Sequence, residues 1–408
     1  FPPSPRSGSY PVVTHELSKS YGEHEVFRNA SITIERGDKV AFVGKNGEGK
    51  STMVKQYIIE NREQFNVLYT SADHTYFSNH SISDLADNLV KSGYNALVID
   101  EVHKVNNWSE AVKKEWDADT FNDVNIKVVI LGSSRLLIKD GLTESLAGRY
   151  ELIHMSHWSF KEMNEAFGID LEHYIFFGGY PGGVNFINNE TRWRKYIKDG
   201  IIAPAIFHDI LKTKQVYKPE LMKQLFELGC TYSGEEIALT KLLGQLQDAG
   251  NITTLANYLS TLNESHLLCG LQKYANDNAR KYNSVPKMLV YNTALLSSLY
   301  GLSYSQVFTD PKMWGRWVES AVGAHLLNIA DELDYKIYYW RERNEEVDFV
   351  LEYNRQCIAI EVKSGRRITN TGVSVFKGKF NPIHTFIVGS GGIPLEEFLS
   401  SDLKYLFE

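Results

Sequence analysis

At 408 residues the chain is long enough for two to three domains, and a 43% hydrophobic content suffices for ordinary globular cores. A net charge of −7 excludes a global basic field for nucleic acid, so any such site must be a local patch. The three scattered cysteines, Cys230, Cys269 and Cys357, form no CxxC pair and argue against a zinc site or a disulfide framework; no apolar run reaches the roughly 20 residues of a membrane span, and a reducing cytoplasm fits best. The opening "FPPSPRSGSY" reads as a flexible lead-in with no signal-peptide core, and without a methionine it reads as a trimmed or incomplete N-terminus.

The first decisive element is the strand "GDKVAFVG", in which Val40, Phe42 and Val43 are apolar and Gly44 ends the run. Gly44-Lys45-Asn46-Gly47-Glu48-Gly49-Lys50-Ser51 then matches GxxxxGK[ST] at every fixed position, followed by Thr52. Glycines there let backbone N–H groups face phosphate oxygens, and the helix starting near Ser51 adds its positive end. Lys50 is expected to reach the β and γ phosphates of ATP, and Ser51 to ligate Mg²⁺.

"NALVIDEVHK" supplies the second half. Ala96 to Ile99 form an apolar run, as in a strand buried on both faces, and the run ends in Asp100-Glu101. Asp100 is expected to hold Mg²⁺ through water, and Glu101 to act as general base on the attacking water. The plain alternative is a strand end capped by two acids. "FNVLYTSA", "IKVVILGSS" and "YELIHMS" complete five strands alternating with helices, which predicts an α/β fold: a P-loop NTPase parallel sheet with helices on both faces. A strand intervenes between the lysine-loop strand and the acid strand, as in P-loop ATPases with an additional central strand and a catalytic glutamate. Ser133 and Ser134 end the fourth strand, where a polar side chain meets the γ-phosphate or the water. Arg149 precedes the fifth strand; it is either an arginine finger, acting within the chain or on a neighbour, or a surface arginine.

Further on, "HWSFKEMNEAF" reads as a helix with Ser159 as N-cap and Glu162 three residues later. Residues 158–217 read as a helical lid interrupted by "GGYPGG", and 218–280 as short helices followed by β-like segments, a winged-helix pattern. Its would-be recognition helix, "TTLANYLSTLNES", is poor in basic residues, which favours a structural role over duplex binding. "GRWVESAVGAHLL" is an amphipathic helix carrying Glu319. Asp348 follows, then Glu361-Val362-Lys363 thirteen residues later. This series resembles the PD-(D/E)xK nuclease fold. Side chains repeat every two residues along a strand, so Glu361 and Lys363 share a face. In that reading Asp348 and Glu361 hold Mg²⁺ and Lys363 stabilises developing negative charge, with Arg366, Arg367, Lys377 and Lys379 as a local basic patch. A solvated edge with ion pairs is the alternative.

Two family resemblances meet at the glycine loop. From about Lys50 onward, "LVIDEVHKVNNWSEAVKKEWD", "VVILGSSRLLI", "LAGRYELIHMSHWSFKEMNEAFG" and "FFGGYPGGV" resemble prokaryotic AAA-type ATPases that carry a C-terminal domain of unknown function. Before it, "VTHELSKSYGEHEVFRNASITIERGDKVAFVGKNGEGKST" resembles the start of an ABC-type nucleotide-binding domain of the translation-associated F subfamily. That resemblance implies that Tyr21 stacks on adenine. The remaining ABC hallmarks are missing: no LSGGQ-like signature, glutamine loop or switch histidine stands in its expected place. The two resemblances together imply a splice at the shared GKST, with a single family whose N-terminus has drifted as the alternative. The expected layout is residues 1–156 as ATPase core, 157–217 as helical lid, 218–285 as winged-helix-like and 286–408 as nuclease-like. The expected activity is Mg²⁺-dependent ATP hydrolysis by a switch or motor. ATP-gated cleavage of DNA or RNA, or nucleotide binding with little hydrolysis, are the competing readings. A cytoplasmic location, no membrane partner and room for an oligomer go with it.

Overall fold

The structure is a computed structural model. It describes residues 12–13, 17–21, 24–30, 33–34, 39–43, 50–61, 66–121, 126–132, 146, 150–210, 216–247, 250–275, 284–365, 371–401 and 403–407. Gly44, Asn46, Gly47, Glu48 and Gly49 of the loop, together with Ser133, Ser134, Arg149, Arg366 and Arg367, lie outside the described residues, as do the side chains of Tyr21, Lys50 and Thr52. The chain divides into two units, Phe1–Met155 and Ser156–Glu408.

In the first unit, β1 (Val12–Val13) pairs with β4 (Thr33–Ile34), and β2 (Leu17–Tyr21) with β3 (His24–Ala30), both antiparallel. β5 (Lys39–Val43), β6 (Val67–Ser71), β7 (Ala96–Asp100), β8 (Lys127–Gly132) and β9 (Glu151–His154) form a parallel sheet in the order β6-β7-β8-β5-β9. β8 stands between β5, which leads into the glycine loop, and β7, which carries Asp100. This is the P-loop NTPase sheet with its additional central strand.

Side chains alternate across that sheet with period two. Leu97, Ile99, Val128 and Ile130 pack with Ile82, Leu89, Trp108 and Val112, from the helices Ile82–Lys91 and Trp108–Phe121. Val98 and Leu131 pack with Val54 of the helix Lys50–Glu60. Helices thus cover both faces, and all five residues of β7 are buried. Each fully buried Leu or Ile contributes on the order of 1.5–3 kcal/mol. The apolar run therefore holds β7 in place, and its first polar side chain emerges only at the strand's C-terminal end.

The second unit begins with helices. Phe160–Phe167 carries the expected capping box: Ser159 accepts from the Glu162 backbone N–H, and the Glu162 carboxylate accepts from Ser159 N. The helices Pro219–Thr231, Leu239–Leu243 and Ile252–Glu264 precede β10 (Leu268–Lys273) and β11 (Lys287–Val290). With β12 (Lys336–Glu342), β13 (Glu345–Tyr353), β14 (Gln356–Lys363) and β15 (His384–Gly389) they form one sheet, ordered β11-β10-β12-β13-β14-β15. Strands on either side of residue 285 therefore belong to the same sheet. The expected boundaries at 217 and 285 both fall inside this unit.

The helix Pro311–Leu333, with Pro311 in its first turn, is capped by Asp310, which accepts from Lys312 N and Met313 N. Its Trp317 is fully buried and donates to Ser297 Oγ at 2.7 Å. Gly323 lets it approach the sheet closely: a Cβ there would lie 2.7 Å from Leu289 and 2.8 Å from Phe349. Glu319 is one turn earlier on the same helix face. The close approach at Gly323 thus brings Glu319 down onto β11 and β13. Among the described residues no helix is long and apolar enough to cross a membrane.

Candidate functional site

In the first unit the described part of the site is built on three side chains. Ser51, in the first turn of the helix after the glycine loop, donates to Asp100 Oδ2 at 2.7 Å. The Tyr69 hydroxyl, from neighbouring β6, donates to the same oxygen. Asp100 Oδ1 accepts from the Glu101 backbone N–H at 3.0 Å. The carboxylate is buried and receives three donors, which offsets the cost of desolvating it. Burial, reinforced by the hydrogen bond to Asp100, pushes the Tyr69 phenol well above its ordinary pKa, so it stays a donor. Lys55 Nζ lies 4.6 Å from the centre of the Tyr69 ring.

Glu101 takes up a left-handed conformation, φ 54°, which a long side chain rarely adopts. Its carboxylate Oε2 lies 3.5 Å from His103 Nε2. A hydroxyl and a carboxylate converging at the N-terminus of a helix are the hard oxygen donors that Mg²⁺ prefers. The residues present fit that ion.

In the second unit the four expected residues occupy neighbouring positions. β13 and β14 are antiparallel with Phe349 opposite Ile360, which sets Asp348 and Glu361 side by side on one face. Asp348 Oδ2 accepts from Val362 N at 2.7 Å. Lys363 ion-pairs with Glu361. Glu319 reaches Asp348 through a shared lysine. It ion-pairs with Lys287 of β11, whose ammonium also lies 3.9 Å from Asp348 Oδ1 and 3.5 Å from the Asp348 carbonyl. Burial pushes the Glu319 carboxyl up to about 7 against the opposing pull of Lys287. Burial, with Asp348 adding, pushes Glu361 up to about 7 as well. For Lys287, burial works downward, but the charges of Glu319 and Asp348 prevail and its pKa is raised. Of the expected basic patch, Lys379 is engaged by Glu342.

Comparison with known proteins bears on the domains of the chain. Residues 38–164 match the family described as "AAA domain". Residues 168–306 and 314–393 match two families described as domains of unknown function, DUF8612 and DUF4143. Residues 38–164 form an AAA-type P-loop ATPase domain. The chain also resembles ABC-type ATP-binding proteins over short stretches. It is 48% identical over 44 residues to the arginine transport ATP-binding protein ArtM of Bacillus subtilis, covering 11% of this chain and 18% of that one. It is 39% identical over 49 residues to the ribosome protection protein VmlR of the same organism, covering 12% of this chain and 9% of that one. The chain therefore spans less than a fifth of these curated relatives. Among solved structures, AMPPCP-bound DnaA from Aquifex aeolicus aligns with a TM-score of 0.29 at 15% identity, over 56% of this chain and 82% of that one.

Two residues of the sites escaped the sequence reading. Tyr69 sits in an apolar strand and gave no sign of its partner; only its place two residues before the end of β6, beside the end of the acid strand, would have pointed to it. Lys287 had a clearer signal: a lysine opening the otherwise apolar "KMLV" strand needs a buried counter-charge. In the ATPase domain, Tyr69→Phe removes one donor from a buried carboxylate. It is expected to cost about 1–2 kcal/mol of stability in urea denaturation, with the fold retained.

Proposed function

We propose that the chain binds ATP with Mg²⁺ on residues 44–52 and hydrolyses it, working as an AAA-type molecular switch or motor. The observation that carries this reading is the Ser51–Asp100 hydrogen bond of 2.7 Å, which joins the two halves of the nucleotide motif at the head of one helix. Gly44, Asn46, Gly47, Glu48, Gly49 and Thr52 would supply the amide cradle, and Lys50 would neutralise the outer phosphates. Ser51 directly, and Asp100 through water, would hold Mg²⁺, which supplies charge neutralisation on the phosphates. Glu101 accepts the proton of the attacking water. Ser133 and Arg149 are proposed to touch the γ-phosphate side, Arg149 within the chain or in a neighbouring copy of an oligomer. Tyr21 is proposed to stack on adenine, as the ABC-like character of its segment implies.

The test is nucleotide-induced stabilisation. Wild type is expected to gain several degrees in Tm with saturating ATP or ADP and Mg²⁺, because a ligand that binds only the folded state stabilises it by mass action. Lys50→Ala should abolish the gain. The same shift in both proteins would overturn the assignment.

A second reading is ATP-gated cleavage of DNA or RNA. It is favoured by the side-by-side placement of Asp348 and Glu361 with Lys363 two residues along the strand. The winged-helix pattern of residues 218–285 would add a docking element, although the helix Ile252–Glu264 carries no lysine or arginine.

A further inference from the structure

The carboxylates of the second unit already have a cation. Lys287 enters from β11, buried, and its ammonium ion-pairs with Glu319 of the long helix while standing 3.9 Å from Asp348 Oδ1. Its position is fixed on several sides. It also lies 3.5 Å from the Asp348 carbonyl, and 5.2 Å from the centre of the Phe349 ring. Lys363 ion-pairs with the remaining acid, Glu361, through Oε1 alone, and the buried Glu361 Oε2 accepts no hydrogen bond. Two ammonium groups thus serve three carboxylates. Among the described residues no group of three or more His, Cys, Asp or Glu side chains is arranged to hold a metal ion. We propose that Lys287 is the resident cation of this pocket, filling from within the chain the place between Glu319 and Asp348 that a divalent ion would need.

Charge and space together favour the ammonium. Three carboxylates brought together out of water repel one another and persist only with a compensating cation. An ammonium tethered to a central sheet is always present at full local concentration, whereas a divalent ion must displace it. Moving the ammonium out would strand it among apolar neighbours, since Met288, Leu289 and Val290 that follow it are all fully buried. The pocket therefore joins helix to sheet as an internal ion cluster, and this weighs against the second reading above, metal-dependent phosphodiester cleavage. This inference concerns the second unit alone and stands whether or not the first unit hydrolyses ATP.

The experiment is a Mn²⁺ titration of the full chain without nucleotide, with free Mn²⁺ read by electron paramagnetic resonance. Wild type and Asp348→Asn are expected to give the same binding curve, because no site depends on Asp348. Lys287→Met, which keeps the length and apolar stem of the side chain, should gain a Mn²⁺ site at least about tenfold tighter than any such site in wild type. That site should vanish in Lys287→Met/Asp348→Asn. If wild type binds a Mn²⁺ that Asp348→Asn removes, the proposal is overturned and a metal site of the nuclease kind takes its place. If Lys287→Met folds and gains no site, the proposal is equally overturned. Should Lys287→Met fail to fold, the comparison of wild type with Asp348→Asn decides by itself: matching curves support the internal cation, and a lost site refutes it.

Discussion

Replacing Glu101 by Gln is expected to lower ATP turnover by about 10² to 10⁴-fold while leaving nucleotide binding intact. The amide has the size and shape of the carboxylate but cannot accept the proton of the attacking water. The backbone turn that aims the side chain, φ 54° at Glu101, is set by its neighbours and by the Glu101 N–H bond to Asp100 Oδ1, neither of which the substitution touches. Binding is therefore expected to survive, with the same nucleotide-induced rise in Tm as wild type. Turnover is measured as initial phosphate release at saturating ATP. A wild-type rate in Glu101→Gln would place the base elsewhere. His103, whose Nε2 is 3.5 Å from Glu101 Oε2, is the first alternative. His103→Ala would then abolish the activity that Glu101→Gln had kept.

The sheet of the ATPase domain was legible because its signals are local. "ALVID" is apolar on both strand faces, and in the structure both faces are covered, Leu97 and Ile99 by one pair of helices and Val98 by the helix after the glycine loop. Ser51 and Asp100, 49 residues apart in sequence, were expected at one site, and they hydrogen-bond. Tyr69 was not legible, since nothing in a β-strand tyrosine says which neighbouring strand end its hydroxyl will reach.

In the second unit the three acids and one lysine of the C-terminal series, Glu319, Asp348, Glu361 and Lys363, were singled out by their resemblance to a nuclease-like pattern. The cation between them was not. The pairing of Lys287 with Glu319 depends on how closely the long helix packs. That closeness is set by Gly323 against Leu289 and Phe349, a tertiary fact with no sequence signature beyond a glycine in a helix. The expected layout places a boundary at 285, between a winged-helix-like stretch and a nuclease-like one. Sheet pairing runs across that position: β10 joins β12 in parallel register, Gln272 opposite Tyr338.

That shared sheet leads to the second large effect. Trp340→Ala is expected to destabilise the second unit by about 3–5 kcal/mol, the usual range for removing a buried tryptophan. Trp340 lies on β12 at 1% exposure. Its ring meets Phe376 edge-on at 5.4 Å and lies 6.2 Å from Phe380, both from the helix Thr371–Phe380. Around it pack Tyr274, Tyr338, Val347 and Ala359, so the cavity is lined by residues of three neighbouring strands and the residue just after β10. Ordinary rotamer changes would not fill it. Because β10 and β11 continue the sheet that holds Trp340, the loss should be shared across residue 285. Hydrogen exchange of the full chain should show faster opening of Leu268–Lys273 as well as of Glu345–Tyr353, by similar factors. Faster exchange confined to residues beyond 285 would mean that the two halves of the sheet unfold separately, and the single cooperative unit would have to be given up.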